Sequence, residues 1–298
     1  MNTKNESLLC DPRKKYETPD FENQEDQSHP GSERKMTPPA DHGEESYEGT
    51  GKLKGCVALI TGADSGIGRA VALAYAREGA DVAFTYLEED QDAQETERLI
   101  TESGRRAKSY KMDQTSRNAC DEVLESLIEE FGKIDILVNN AAFQKTYESF
   151  DDITDEDIER TFKTNIEAFF YFSRTALKHL PPGGSIINTT SIQAFSPSPS
   201  LAPYSATKAA IANFTLSLAQ EAIKKGIRVN AVAPGPVWTP LIPATLPLED
   251  VKSFGKNTLF ERPAQPAELA PIYVFLASDA ASYITAEIYG ATGGGKQL

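Results

Sequence analysis

The stretch "CVALITGADSGIGRAVALAYAREG", Cys56 to Gly79, decides how this chain folds. "CVALIT" is a short apolar, β-branched run of the kind that forms a buried strand. From Arg69 the pattern turns helical. Between the two, "TGADSGIG" (Thr61 to Gly68) sets three glycines in the turn. Gly62 allows a tight turn, Gly66 lets the backbone come close to a pyrophosphate, and Gly68 lets helix pack on strand; the helix start then offers unpaired amides to an anion. The spacing is Gly-x-x-x-Gly-x-Gly, not the commoner Gly-x-Gly-x-x-Gly. A plain strand-to-helix turn is the alternative, but the strand before and the helix after favour a dinucleotide site.

The same alternation continues down the chain. "ADVAFTY" reads as a second buried strand, then a polar helix runs from Gln91 to Ser103. "RAKSYKM" is a third strand, "NACDEVLESLIEEFG" a helix stopping at Gly132, and "IDILVNN" a fourth strand. Thr154 with Asp157 resembles a capping box opening one long helix towards His179. "GSIINTTS", a helix from Tyr204 to Lys225, "IRVNAVAPG", a Pro-rich loop, a helix over 267–278 and a short strand near Glu287–Gly290 complete the pattern. Strands apolar on both faces, alternating with helices, imply an α/β fold: a doubly wound, mostly parallel, Rossmann-type sheet forming a single domain over 51–298. Ligands of such sheets bind beyond the carboxyl ends of the strands, where strand order reverses.

Residues 1–50 differ in composition, being rich in Glu, Asp, Pro, Ser and Gly. With so little to bury, they read as an extended polar tail, either disordered or lying across a neighbouring subunit through Leu8, Leu9, Tyr16 and Phe21. The formal charge of −14 argues against nucleic-acid and anionic-membrane partners. No apolar run is long enough to span a bilayer and the start lacks a signal-peptide core. The three cysteines (Cys10, Cys56, Cys120) suit reduced thiols, and the scattered His29, His42 and His179 build no local metal site. The default is a cytoplasmic protein with a small-molecule ligand.

Each strand end then offers candidates. At the end of strand two, where an acid would hold the ribose hydroxyls of NAD, stands Tyr86, followed by Leu87, Glu88 and Glu89. No arginine is at hand for the 2′-phosphate of NADP, and carboxylates would repel it, so NAD is the expected form. Asp113 and Gln114 end strand three, where adenine should lie. Asn139, Asn140 and Ala141 end strand four; paired asparagines also stabilise a turn by themselves. Asn165 falls inside a helix, a poor place for asparagine on propensity. Ser191 ends strand five, and Tyr204 and Lys208, four apart, share one face of the following helix.

Together "TGADSGIG", Asp113, "NNAA", Asn165, Ser191, "YSATK" and "PGPVWT" stand in the order and approximate spacing of one family. From Leu53 to Gly294 the chain resembles the short-chain dehydrogenase/reductase family in its compact single-domain form. The polar extension and "EIYGATGG" look like its glucose/ribitol-dehydrogenase-like or aldehyde-reductase-like branch. The resemblance implies an NAD(P)-dependent oxidoreductase acting on CH–OH groups. It makes Asn165, Ser191, Tyr204 and Lys208 the catalytic set, and adds Asp64, Ser65 and Ile67 to the glycines as cofactor residues. Lys208 would also bond the nicotinamide ribose, Ser191 the substrate oxygen, and Asn165 a water behind Lys208. Pro234 and Gly235 would shape the turn under the nicotinamide, with Val237 and Thr239 gripping its carboxamide. A homotetramer is the implied assembly.

The chemistry requires a general acid/base matched to the working pH. A free tyrosine, at about 10, is too weakly ionised. An ammonium one helical turn away should draw it down. Gln193, Phe195, Gln144 and the loop "VWTPLIPATLPLEDVKSFGKNTLFERP", a candidate lid, would wall the substrate. With no basic cluster there, a small neutral alcohol, polyol, aldehyde or ketone fits best. The alternative is a dinucleotide sensor or scaffold with little turnover.

Overall fold

The computed structural model describes residues 10–295. In chain order they form β1 (Val57–Thr61), α1 (Gly66–Arg77), β2 (Asp81–Tyr86), α2 (Asp90–Glu102), β3 (Ala107–Lys111), α3 (Arg117–Phe131) and β4 (Ile136–Asn139). Then follow α4 (Asp155–Phe162), α5 (Ala168–Ala176), β5 (Ser185–Thr189), α6 (Ala202–Ala222), β6 (Arg228–Pro234), α7 (Leu248–Val251), α8 (Pro266–Ala277) and β7 (Ile288–Ala291). The seven strands make one sheet in the order β3-β2-β1-β4-β5-β6-β7, parallel throughout. Order reverses between β1 and β4, where Leu59 pairs with Leu137 and Ile60 with Val138. The loops after these two strands therefore part, leaving the crevice that such sheets use for ligands.

Every residue of β1, β4, β5 and β6 is buried, as unbroken apolar runs require. On one face α1 and α8 cover the sheet with Ala70, Ala74, Leu269 and Tyr273. On the other, α3, α5 and α6 contribute Leu124, Leu127, Phe172, Ala176 and Ala219.

The long helix expected from Thr154 to His179 is instead broken. A π-helical turn, Lys163–Glu167, separates α4 from α5. The Asp157 amide donates to Thr154 Oγ1 at 3.1 Å, but the Asp157 carboxylate turns away to Lys145, so half of the capping box forms. The carbonyl of Thr164 within the π turn accepts from Gln114 Nε2 at 2.8 Å, tying the turn to the end of β3. Such turns mark places where a helix must re-aim a side chain.

Residues 10–50 run over their own domain. Phe21 stacks at 4.4 Å on Trp238 and joins Met36, Ile242 and Val251 in a small separate core. Trp238 Nε1 donates to the Pro38 carbonyl at 2.7 Å, and Tyr16 donates to Asp41 at 2.6 Å. Further on, the Tyr47 hydroxyl and the Thr50 and Lys52 amides all donate to the Glu78 carboxylate at the end of α1. Phe21 and Tyr16 thus have partners within the chain; Leu8 and Leu9 lie outside the described residues. Composition missed this because most of the groups that fix the segment are polar.

Phe21→Ala empties the centre of the small core. Deleting a buried phenyl costs about 3–5 kcal/mol. Urea unfolding should show a midpoint lowered accordingly, whereas an unchanged midpoint would mean that the segment adds nothing to stability.

Candidate active site

The crevice holds a cavity of about 600 Å³ into which the strand-end loops converge. Its floor is the glycine turn. Gly62 and Gly66 have φ of +63° and +53°, conformations that side-chain-bearing residues resist. A Cβ on Gly62 would press on Ala141 at 2.9 Å, one on Gly66 on the Thr239 methyl at 3.0 Å, and one on Gly68 would collide with the Gly62 carbonyl. The three glycines thus allow close approach within the protein itself. A cradle of bare backbone at a helix start fits the pyrophosphate of a dinucleotide. One expected amide is taken: Gly66 N donates at 2.9 Å to Glu33, which the N-terminal segment brings in. Ser65, Ile67 and Asp64 still line the cavity.

Asn140 braces this turn. Its side-chain amide donates to the Thr61 and Gly62 carbonyls at 3.1 Å, while its own N–H and that of Ala141 reach Thr61 Oγ1. Asn139 does not reach the cavity. It is fully buried between strands and α5, donating to Asn188 Oδ1 and Ser173 Oγ. Asp113 and Gln114 line the far end, Asp113 also accepting from Thr115 N at 2.9 Å. Pro234, Gly235, Val237 and Thr239 form the wall after β6.

At the near end the structure brings Ser191, Tyr204 and Lys208 onto one wall. Lys208 is 1% exposed, and its Nζ donates to the Thr189 carbonyl at 2.9 Å and stands 5.3 Å from the Tyr204 ring centre. The Ser191 hydroxyl caps the following turn by accepting from Gln193 N. The expectation that Lys208 draws the phenol down needs correction. Burial dominates both groups: it pushes Tyr204 up to about 12, opposed by the Ser191 hydroxyl, and pushes the Lys208 ammonium down to about 7. Asn165 is buried behind this wall rather than facing the cavity. Its Oδ1 accepts from Phe143 N, and its amide donates to the Phe143 carbonyl and Thr207 Oγ1. It positions the loop after β4 against α6.

At the ribose end, Thr85, Tyr86 and Leu87 line the cavity, and neither Glu88 nor Glu89 does. Asp64 lines the cavity, as do Asp113, Glu156 and Glu159, and burial pushes Asp64 up to about 7. Glu88 and Glu89, the carboxylates on which the expectation of NAD rested, thus stand outside the cavity lining. Gln193 lies on the wall beside Tyr204, with its Oε1 accepting from Ser198 N and Ser205 Oγ. Gln144 is there too, donating to Thr245 Oγ1 at 2.9 Å. Phe195 is exposed and outside the lining. Sequence reading missed His29, Pro30, Phe143 and Arg160, all of which line the cavity. The first two come from a segment whose composition signals no fold, so no local cue points to them. Among the described residues no group of three His, Cys, Asp or Glu is placed to hold a metal, and no helix is long and apolar enough to cross a membrane.

The chain is similar to known proteins in sequence and in fold. The model of a family described as enoyl-(acyl carrier protein) reductase matches residues 62–295. Glucose and ribitol dehydrogenase of Daucus carota is 46% identical, covering 92% of this chain and 96% of that protein. NADPH-dependent aldehyde reductase 1, chloroplastic, of Arabidopsis thaliana is 45% identical, covering 92% and 97%. Among solved structures, a short-chain dehydrogenase from Burkholderia cenocepacia J2315 in complex with NADP superposes with a TM-score of 0.77 at 34% identity, covering 82% of this chain and 98% of that one.

Burial of Lys208 carries a stability consequence. The folded state holds its proton only below about 7, against 10.5 for an unperturbed lysine, so between these values the unfolded chain binds more protons and stability rises with pH. The penalty is fully present below about pH 7 and gone above 10.5. Lys208→Met should therefore raise stability at pH 6–7, by about 1–4 kcal/mol on the precedent of replaced buried charges. The gain should shrink towards pH 10.5; denaturation at a series of pH values checks it, and a pH-independent difference would refute it.

Proposed function

We propose that this chain, which belongs to the short-chain dehydrogenase/reductase family, uses NADP(H) to interconvert a small neutral alcohol or polyol and its aldehyde or ketone, with Tyr204 as general acid/base. As a family member it is an NAD(P)-dependent oxidoreductase. The observation that carries the finer reading is the meeting of Ser191, Tyr204 and Lys208 on one wall of a single cavity whose floor is the glycine cradle.

Residues along the crevice from Asp113 to Thr239 would hold the cofactor, which when bound would supply the hydride chemistry. The glycine turn and Ile67 would receive its pyrophosphate, and Asp113 its adenine. The form is NADP rather than the NAD first expected. Two similar proteins named above are described with NADP or NADPH, and Asp64, held partly protonated at the ribose end, can tolerate a phosphate there. Ser191 holds the substrate oxygen and stabilises charge developing on it. Tyr204, kept protonated by burial, donates a proton to that oxygen when a carbonyl is reduced. Lys208 orients the ribose hydroxyls and offsets the phenolate left behind. At neutral pH a phenol raised to about 12 rests in its protonated form, the form that serves carbonyl reduction.

Substrate class follows from the wall. Ser191, Gln193 and Gln144 offer neutral hydrogen bonds, while Leu241, Leu246 and Phe254 supply apolar cover. We read the assembly as a homotetramer. Phe162, Phe170, Leu216 and Ile223, on and just beyond α4, α5 and α6, are exposed apolar side chains that association would bury. A cytoplasmic location suits the three unpaired cysteines.

Purified protein should oxidise NADPH faster than NADH with short aldehydes or polyol-derived carbonyls, and reduce them faster at pH 7 than it oxidises the alcohols. Tyr204→Phe should lose about 10²–10⁴-fold in kcat while still binding NADPH. Full activity in that variant would remove the phenol from the mechanism. Cofactor binding without turnover of any carbonyl in wild type would favour the sensor reading.

A further inference from the structure

Residues 29–33 of the N-terminal segment cross the mouth of the crevice. His29 and Pro30 line the same cavity as Gly62, Asn140 and Tyr204. The His29 ring stands edge-on to Phe143 at 4.8 Å, and Phe143 is flanked in turn by the Arg160 guanidinium at 4.4 Å. Two residues on, Gly31 comes so close to Pro240 that a Cβ would collide with the Pro240 carbonyl. Two further, Glu33 Oε2 accepts from the Gly66 amide at 2.9 Å. Five consecutive residues therefore run from the loop after β4, past the loop after β6, to the start of α1. Those are the three loops that would enclose a dinucleotide.

The crossing is fastened from behind by buried polar groups. Asp92 at the start of α2 accepts from the Ser32 hydroxyl and the Glu33 amide, both at 2.8 Å. Glu33 is itself buried against His42, whose Nε2 stands 3.1 Å from Oε2. The loop after β6, a lid candidate on sequence, is held by the same segment: Gln27 N donates to the Pro243 carbonyl and Trp238 to that of Pro38. Neither His29 nor Glu33 hydrogen-bonds to Ser191, Tyr204 or Lys208 among the described residues.

We propose that residues 29–33 form a strap across the dinucleotide cleft that slows cofactor release, with Glu33 as the positioning residue that fastens it and His29 as part of the cleft wall. The inference rests on the reading of the cleft as the dinucleotide site. A strap tied at both sides must loosen before a ligand beneath it can leave, so its effect falls on dissociation and not on the reaction at Tyr204. It also holds the loop after β6 as a fixed wall.

The test measures NADPH dissociation from the full chain by stopped-flow displacement, with NADH in parallel, for wild type, Glu33→Ala, Glu33→Gln and His29→Ala. Single-turnover hydride transfer and thermal midpoints are recorded beside it. Glu33→Ala should release NADPH about tenfold faster and raise its KM, with the single-turnover rate unchanged. Glu33→Gln, which keeps an acceptor for the Gly66 amide, should fall between. His29→Ala, which trims a partly exposed ring, should release NADPH several-fold faster with its thermal midpoint unchanged. A lowered midpoint in Glu33→Ala with dissociation unchanged would make the segment a structural brace only and overturn the strap. Unchanged dissociation in His29→Ala would overturn it even if Glu33→Ala fails to fold. Wild type that binds neither NADPH nor NADH would bring down the cleft reading and the strap together; tight binding with unaltered dissociation in the variants removes the strap alone.

Discussion

A lysine amine sealed in the protein interior is the constraint on which one wall of the cavity depends. Lys208 is 1% exposed and has the Thr189 carbonyl as its acceptor. A charge so placed is unfavourable unless its surroundings are fixed to receive it. The surroundings are fixed by a chain of hydrogen bonds. Thr190 Oγ1 donates to the Lys208 carbonyl, locking the end of β5 to α6. Thr207, next to Lys208, accepts from Asn165 in the π turn, and Asn165 in turn clasps the backbone of Phe143. Gln114 closes the set by donating to Thr164. The ends of β3, β4 and β5 are thereby held in one arrangement around one buried amine. The same dryness keeps the Tyr204 phenol protonated.

That arrangement explains which parts could be read from sequence. The sheet was legible because a buried parallel strand must be apolar on both faces, and "CVALIT" and "IRVNAVAP" have no other use. The glycine turn was legible because close approach leaves glycine as the only fit. Asn139 and Asn140 were not separable. The first ends β4 and points inward to Asn188, while the second has left the strand and braces the turn. Adjacent residues of a strand point to opposite sides, and sequence does not say which side holds the ligand. Likewise, nothing in "TFKTNIEAFF" announces a π turn, because the demand for it comes from the Phe143 backbone, distant in sequence.

The N-terminal segment was misjudged for a related reason. Its burial rests on Ser32, Glu33, Gln24 and His42, residues that a hydropathy reading assigns to solvent. Their partners, Asp92 and Gly66, lie far along the chain, so no local pattern encodes the match. The division of labour is physical. Phe21 on Trp238 gives non-directional apolar stabilisation, whereas a buried carboxylate contributes little net stability and much fixed geometry. Apolar contact keeps the segment on the domain; the polar contacts fix where it crosses.

A chain of net charge −14 that takes up a polyanionic dinucleotide poses an electrostatic difficulty, and the acids nearest the cradle show how it is met. Asp64 is pushed up to about 7 by burial, which weakens its charge near neutrality. Glu33 stays ionised despite burial, through His42, Arg69 and the Gly66 amide, and His42 is raised to about 9 against the pull of burial by Glu33 and Glu44. The pair is thus close to neutral at physiological pH. Asp92 faces Arg34 and Arg69 at 3.5 and 3.8 Å. The surplus negative charge is largely solvent-exposed, where water and salt screen it within about 8–10 Å. Around the start of α1, Glu33 and Asp92 are carboxylates cancelled locally by their cationic partners. Net charge therefore predicts which large partners are excluded and leaves the small anionic one open.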